Sequence, residues 1–208
     1  MLILENHPLL TLNSFAINVK AKYFTSIQSI IELEEVVNKN KKSLNEPLLI
    51  LGGGSNLLFT KDFNGWVLKN DLKGIELIKE DANYFYIKAM AGENWHQFVQ
   101  YCIDHNYAGI ENLSLIPGSV GAAPLQNIGA YGVELKETFV ELEAININTV
   151  EQKTFTTEAL RHGVLPLFFS VSSWLRSSKS VRLIPDQYRN SIKIRVIRVK
   201  IFLTLEKP

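Results

Sequence analysis

The order of apolar and polar positions predicts short strands and two helices. Apolar residues recur at helical spacing after Thr25-Ser-Ile-Gln28, which has the form of a capping box, and this helix is predicted to end in the polar run 38–42. The run 48–51 is wholly apolar and stops at Gly52, which is typical of a buried strand. Further strands are predicted at 67–68 and 84–91.

A second helix and a strand hairpin are predicted further along the chain. Asn94 can cap this helix, and its apolar face is predicted to consist of Trp95, Phe98, Val99 and Cys102. Residues 141–147 and 150–155 are predicted to pair as a hairpin around Asn148-Thr149.

The C-terminal stretch predicts one long strand. From residue 192 to 205 apolar residues alternate with mostly polar ones, and the phase slips once near Val196-Ile197, which predicts a β-bulge there. Residues 160–187 show no regular period, and no element is assigned to them.

Composition limits the class of protein. A chain of 208 residues with 46% hydrophobic residues can bury a core. The single Cys102 excludes an intramolecular disulfide, and the four histidines lack ligand spacing, so no metal site is predicted. No signal peptide is predicted, since no basic stretch precedes an apolar run at Met1, and the longest apolar run, 164–171, is too short to cross a bilayer. We expect a cytoplasmic protein without a membrane partner.

Charge is unevenly distributed. Residues 161–208 hold ten basic and two acidic side chains, a net charge of +8, whereas residues 1–160 hold 12 basic and 19 acidic ones, a net charge of −7. A basic tail can bind nucleic acid. Aromatic interleaving and a binding motif are both missing here, so no nucleic-acid partner is predicted, and we expect a monomer.

Residues 52–56, the first loop, follow the predicted strand at once with the sequence Gly-Gly-Gly-Ser-Asn. Consecutive amides of such a turn can hold phosphate oxygens. The turn is no dinucleotide fingerprint, because Leu57 stands where the third glycine belongs, and no Gly-Lys-Ser/Thr follows it. On its own, a plain tight turn is the more ordinary interpretation.

Residues 116–132, the second loop, contain four glycines, three alanines, two prolines and no charged side chain. Glycine lets a ligand approach the main chain closely, and proline stiffens the segment. A rigid, uncharged loop of small residues suits a large flat cofactor held by backbone amides. A glycine-rich connector is the alternative.

The two loops together carry a resemblance to a known family. The matching segments are 51–57, 109–111, 116–132 and 188–192, together with Asn13-Ser-Phe15. They resemble UDP-N-acetylenolpyruvoylglucosamine reductase, a flavoenzyme of bacterial cell-wall synthesis. The resemblance implies an α+β chain with the FAD-binding fold of the p-cresol-methylhydroxylase type, in which two α/β subdomains clasp FAD. We expect the subdomains at 1–70 and 71–208, with 160–187 as an atypical segment.

The resemblance also implies site residues and ligands. FAD would be bound non-covalently, with NADPH as co-substrate and a UDP-sugar, UDP-N-acetylglucosamine enolpyruvate, as substrate. Arg189 matches the family's catalytic cation and Tyr188 its substrate-binding neighbour. The cofactor-binding residues would be Gly52, Gly53, Gly54, Ser55, Asn56, Ile116, Pro117, Gly118, Ser119, Val120, Gly121, Ala122, Gln126, Asn127 and Ile128.

The match departs from the family near its end. Lys193-Ile194 follow the Tyr188 motif where the family has Phe-Lys, and the chain stops at Pro208 without a counterpart of the family's third, substrate-binding domain. The expectation is therefore an FAD-binding part without that domain. Three functions stay open: the reductase itself, a non-catalytic flavin-binding remnant, and another oxidase or dehydrogenase of the same fold. The form of 126–132 favours the reductase over the last.

Overall fold

The computed structural model describes residues 1–42, 46–146, 151–156 and 196–207. The described strands form two sheets and a small ribbon. The first sheet has the order β1-β2-β4-β3 and contains β1 (Leu4–Pro8), β2 (Lys20–Ile27), β3 (Leu48–Leu51) and β4 (Phe63–Asn70). The pair β1–β2 is antiparallel, whereas β2 and β3 both run parallel to β4. Helix α1 (Ile30–Lys42) connects β2 to β3, as the crossover between parallel strands requires.

The second sheet is antiparallel throughout. Its order is β10-β9-β11-β6-β5, from β5 (Ile75–Glu80), β6 (Tyr84–Met90), β9 (Phe139–Asn146), β10 (Gln152–Thr156) and β11 (Val196–Glu206). The ribbon pairs β7 (Gly129–Ala130) with β8 (Val133–Glu134). Helix α2 (Trp95–Asp104) and the one-turn α3 (Ala123–Gln126) lie between β6 and β7 in the chain. All strands of the first sheet precede residue 71, and all strands of the second sheet follow it. The division into subdomains 1–70 and 71–208 stays a prediction.

The predicted start of the first helix is wrong by one turn. Ser29, not Thr25, caps α1: its hydroxyl accepts from the Glu32 amide at 3.2 Å, and the Glu32 carboxylate accepts from the Gln28 amide at 2.8 Å. Thr25 is buried in β2, and its hydroxyl donates to the Leu2 carbonyl at 2.7 Å. Because β2 must reach residue 27 to pair with β4, the helix begins only afterwards.

The second helix agrees with the sequence. The Asn94 side chain accepts from the Gln97 amide at 3.0 Å, which confirms the predicted cap. The predicted apolar face is buried in full: Trp95, Phe98, Val99 and Cys102. These residues share a core cluster with Val120, Ala123 and Ile128 of the second loop. The second loop is therefore tied into the core of the second sheet.

The terminal strand is confirmed, but its bulge is displaced. Against β9, the register of β11 shifts between Arg198 and Lys200 and again between Phe202 and Leu203, so the first shift lies beyond the predicted 196–197. Its pairing with β6 is regular from Lys200 onwards. Sequence alternation shows that a residue is extra, but the partner strand decides which residue is left unpaired. The predicted hairpin is confirmed as β9–β10, with its turn outside the described residues.

Candidate functional site

The two glycine-rich loops lie against each other. A Cβ atom on Gly52 would lie 2.6 Å from the Ser119 Oγ, and one on Gly53 would lie 3.0 Å from the Gly118 Cα. Gly118 itself has a φ of +129°, and a Cβ on it would lie 3.4 Å from the Ser55 Oγ. Loops that were predicted independently, more than sixty positions apart, therefore meet main chain to main chain, and side chains at Gly52 and Gly53 would separate them.

The sheet explains why the site lies here. The strands β2, β3 and β4 are parallel, and the first loop begins where β3 ends at Leu51. Ligands of α/β sheets bind outside the carboxyl ends of the strands, where backbone groups turn away from the ladder. Within the described part of the chain, the amides of Gly53, Gly54, Ser55 and Asn56 donate to no protein acceptor. These consecutive donors are free for an anionic ligand.

The N-terminal segment supports the first loop from behind. Gly54 has a φ of +69°, and a Cβ there would collide with the Leu12 carbonyl oxygen. The Ser14 amide donates to the Gly54 carbonyl at 3.2 Å. Only glycine suits both the left-handed conformation and this contact, so the shape of the first loop depends on residues 12–14.

Asn13 fixes that supporting segment. Its Nδ2 donates to the Leu9 carbonyl at 2.7 Å, and its Oδ1 accepts from the Ile17 amide at 3.0 Å. Asn13 is one of the few buried polar residues in the described part of the chain, and every polar end of its side chain is satisfied by the turn that it stabilises. The Asn-Ser-Phe motif thus has a structural task beside the first loop.

The beginning of the second loop is pinned to the segment before α2. The Trp95 amide donates to the Gly118 carbonyl at 3.1 Å, and the Val120 amide donates to the Glu93 carbonyl at 2.9 Å. The Gly121 amide donates to the Ala91 carbonyl at 2.9 Å. A Cβ on Gly121 would lie 2.5 Å from the Ala91 Cβ. Among the predicted cofactor residues, Val120 and Gly121 therefore use their amides to hold the loop in place.

His96 holds the residues just before the second loop. Its Nδ1 accepts from the Leu115 amide at 3.3 Å and lies 3.0 Å from the Ser114 Oγ. A backbone N–H can only donate, so this arrangement requires an Nδ1 without a proton. Leu115 has a φ of +62°, which is uncommon for a leucine and needs such support. The sequence gives no signal for this role, because a single histidine on a helix forms no pattern.

Asn127 closes the one-turn helix α3 at the other end of the second loop. It has a φ of +39°, and its Nδ2 donates to the Glu134 Oε2 at 3.0 Å. Its Oδ1 is buried and has no hydrogen-bond partner within the described residues. Buried acceptors without a partner are rare and call for a donor. Gln126 beside it is exposed, whereas Ile128 is buried in the core.

The Glu134 carboxylate accepts several hydrogen bonds. Besides the Asn127 amide it accepts from the Lys136 Nζ at 2.5 Å and from the Glu137 amide, which completes a capping box. Lys136 first and Asn127 second hold the pKa of Glu134 below its ordinary value. Sequence reasoning missed Glu134. The sequence signal that could have found it is the pair Tyr131-Gly132. These residues form a tight turn, with φ of +52° and +84°, and such a turn folds the chain back on itself.

Covalent attachment of a cofactor has no candidate thiol. Cys102 is fully buried, and burial raises the pKa of its thiol to about 12, with Glu111 adding to the effect. A thiol with that pKa is inert. Among the described residues, no three His, Cys, Asp or Glu side chains cluster in a way that could hold a metal ion. None of the described helices has the length and apolar character needed to cross a membrane. Tyr188 and Arg189 lie outside the described residues.

Comparison with known proteins identifies the class of protein. Residues 21–152 match the model of the FAD binding domain family, which is more than half of the chain. The chain therefore belongs to the family of FAD-binding domains.

The particular relatives are reductases. The chain is 51% identical over 163 residues to UDP-N-acetylenolpyruvoylglucosamine reductase of Flavobacterium johnsoniae, which covers 78% of this chain and 48% of the relative. The reductase of Amoebophilus asiaticus is 54% identical over 156 residues, covering 74% of this chain and 45% of the relative. The predicted resemblance to this reductase is confirmed. The chain spans about half the length of these curated relatives.

Solved structures confirm the predicted fold class. The Thermus caldophilus reductase matches with a TM-score of 0.64 and 18% identity, over 100% of this chain and 63% of that one. p-Cresol methylhydroxylase matches with a TM-score of 0.54 and 16% identity, over 98% of this chain and 38% of that one. At such identities the likeness concerns the fold alone.

Proposed function

We propose that this chain binds FAD non-covalently and is the flavin-binding part of a UDP-N-acetylmuramate dehydrogenase. That enzyme would use NADPH to reduce UDP-N-acetylglucosamine enolpyruvate to UDP-N-acetylmuramate in the cytoplasm, for peptidoglycan synthesis, cell shape and division. The observation that carries the proposal is the contact of the two loops, which leaves the amides of Gly53, Gly54, Ser55 and Asn56 without a protein acceptor among the described residues.

The free amides suit the pyrophosphate of FAD. Phosphate oxygens accept from consecutive backbone N–H groups, and such donors need no ionisable side chain. A side chain on Gly53 would take the space next to Gly118, so the first loop keeps its main chain accessible only with glycine there. Gly52, Gly118 and Ser119 belong to the same proposed cradle.

We assign Asn127, at the far end of the second loop, to the flavin surface by resemblance. When bound, FAD supplies hydride-transfer chemistry. We assign Ile116, Pro117 and Gln126 to the same surface by resemblance.

Arg189 is the proposed catalytic cation. Reduction of an enolpyruvyl group builds negative charge beside its carboxylate, and a guanidinium fork, which is always charged, stabilises such charge. Tyr188 is proposed to contact the substrate. Both assignments rest on the motif at 188–192.

Flavin binding is tested by titrating the purified chain with FAD and, in parallel, with riboflavin. FAD should bind and be released by denaturation, while riboflavin, which lacks the pyrophosphate, should bind at least about tenfold more weakly, since each 1.4 kcal/mol is tenfold. A chain that takes up neither ligand would overturn the proposal. Equal affinity for both would refute the pyrophosphate assignment.

Turnover separates the reductase from a non-catalytic flavin protein. Positioning of substrate and general acid help are each worth orders of magnitude in rate, about 10²–10⁴ for the latter. Because the 208 residues cover about half of the relatives, we expect only trace oxidation of NADPH with UDP-N-acetylglucosamine enolpyruvate. A turnover of about 1 s⁻¹ or more, the ordinary enzyme range, would show that these residues suffice. Ser191 would then be the first candidate for the acid.

A further inference from the structure

Residues 71–74, the connecting segment, join the first sheet to the second, because they lie between β4 and β5. The start of this segment packs with the first sheet. The Asp71 amide donates to the Ile27 carbonyl of β2 at 3.0 Å, and Leu72 is buried in the same cluster as residues of β2, β4 and α1. The connecting segment therefore has a fixed position relative to the first sheet.

Residues 91–93, which precede α2, lie directly on the connecting segment. The Gly92 amide donates to the Leu72 carbonyl at 2.9 Å, and a Cβ on Gly92 would lie 2.5 Å from the Leu72 nitrogen. The Lys73 Nζ donates to the Gly92 carbonyl at 2.6 Å. The second loop is hydrogen-bonded to the same residues 91–93. These residues thus connect the second loop to the first sheet.

Glu93 contacts both the connecting segment and the second loop. Its Oε1 accepts from the Gly74 amide at 2.7 Å, and its Oε2 accepts from the Lys73 Nζ at 3.4 Å. Its backbone carbonyl accepts from the Val120 amide at 2.9 Å. The Glu93 side chain is only 17% exposed, and hydrogen bonds to a charged acceptor are stronger than neutral ones. We expect the shorter contact, with the Gly74 amide, to contribute most.

The distance between the two loops matters for a ligand that contacts both. The loops pack against each other at Gly53 and Gly118, but the described main-chain hydrogen bonds of residues 118–121 go to residues 91–95. A ligand held at two places gains affinity only where their separation matches its length, and a separation that is set beforehand lowers the cost of binding. FAD would contact both loops, whereas riboflavin lacks the pyrophosphate end.

We propose that Glu93 is a positioning residue, which holds the second loop at the distance from the first loop that FAD requires. This inference rests on the proposed binding of FAD. Glu93 acts through the Gly74 and Val120 amides. Its charge alone would have the opposite effect, because loss of a negative charge favours an anionic ligand such as FAD. A loss of FAD affinity when Glu93 is replaced therefore reports on position rather than on charge.

The test compares FAD with riboflavin on variants of Glu93. Glu93→Leu removes the acceptor of the Gly74 amide, and we expect it to bind FAD about tenfold more weakly. Riboflavin should bind within about twofold of the original chain, because the main-chain bonds of the second loop remain. Glu93→Gln keeps an acceptor for the Gly74 amide and should restore most of the FAD affinity. The matched control is Glu76→Leu, which removes a carboxylate and its ion pair with Lys88 and should leave both affinities within about twofold.

The ratio of the two affinities separates positioning from stability. A purely structural role would weaken both flavins equally in Glu93→Leu, and either that result or an unchanged FAD affinity overturns the inference while the proposed function stands. If Glu93→Leu does not fold, Lys73→Met decides, because it removes a half-exposed donor to the Gly92 carbonyl and to Glu93. We expect it to weaken FAD binding about threefold and to leave riboflavin binding unchanged, and an equal loss or no loss overturns the inference. If the original chain binds neither flavin, the proposed function has failed first.

Discussion

At the scale of single residues, glycines of the two loops differ in what they contact. Gly53 is exposed and faces the main chain of Gly118, whereas Gly121 is buried against Ala91. The sequence places both in loops of small residues and predicts a cofactor contact for both. It cannot separate them, because the difference lies in which distant segment each one meets. The contacts of His96 with Ser114 and Leu115 were missed for the same reason.

Replacing Gly121 or Gly53 by valine should have different effects on stability and on FAD binding. Gly121→Val forces extra atoms against Ala91 and should lower the free energy of unfolding by about 1–3 kcal/mol, as overpacking does. Gly53→Val adds atoms against the Gly118 main chain and should separate the two loops, which abolishes FAD binding; the loss of stability should be smaller, because Gly53 itself is exposed. Thermal unfolding of the flavin-free variants and FAD titration measure the two effects. Equal loss of stability in both variants would show that Gly53 is structural as well.

At the scale of elements, local sequence signals such as caps and apolar spacing predict most of the described helices and strands. The cap and buried face of α2 follow from Asn94 and the helical spacing after it. The start of α1 does not, since Thr25 and Ser29 are both acceptable caps and only the pairing of β2 with β4 decides between them. The bulge of β11 was displaced for a related reason. Where two sequence positions are equivalent locally, a partner element makes the choice.

The two helix caps should differ in their effect on flavin binding. Ser29→Ala and Asn94→Ala each remove one cap and should each cost about 1 kcal/mol of stability. Of these two helices, α2 is the one with a described hydrogen bond to the second loop, because the Trp95 amide beside its cap donates to the Gly118 carbonyl. We therefore expect Asn94→Ala to weaken FAD binding several-fold and Ser29→Ala to leave it unchanged. FAD titration of both variants at equal folded fraction checks this, and an equal loss of affinity would contradict it.

At the scale of the whole molecule, the sequence does not predict the order of the strands in each sheet. β11 follows every other described strand in the chain, yet it lies inside the second sheet, between β9 and β6. Its alternation predicts a strand with one buried face, and Leu203 and Leu205 are indeed buried. Alternation does not say which neighbours it has, because any two strands with apolar faces could flank it. The fold class came instead from motifs typical of a family.

A chain that stops at residue 195 should therefore lose the second sheet. Without β11, β6 and β9 would lack their common partner, and the cluster that includes Val120 and Ala123 would lose Leu203 and Leu205. We expect a large loss of β-structure in circular dichroism and no uptake of FAD. Retention of native spectra and of FAD binding would show that β11 is dispensable.

The central place of β11 also sets an order of events during synthesis. A chain leaves the ribosome from its N-terminus, so the first sheet, complete at residue 70, can form long before the second. The second sheet cannot close until residue 206 has emerged from the exit tunnel. Until then β6 and β9 present unpaired edges to other chains, the condition in which strands aggregate and chaperones act. Because the second loop belongs to the core that this sheet closes, we expect flavin uptake only after residue 206 has been synthesised.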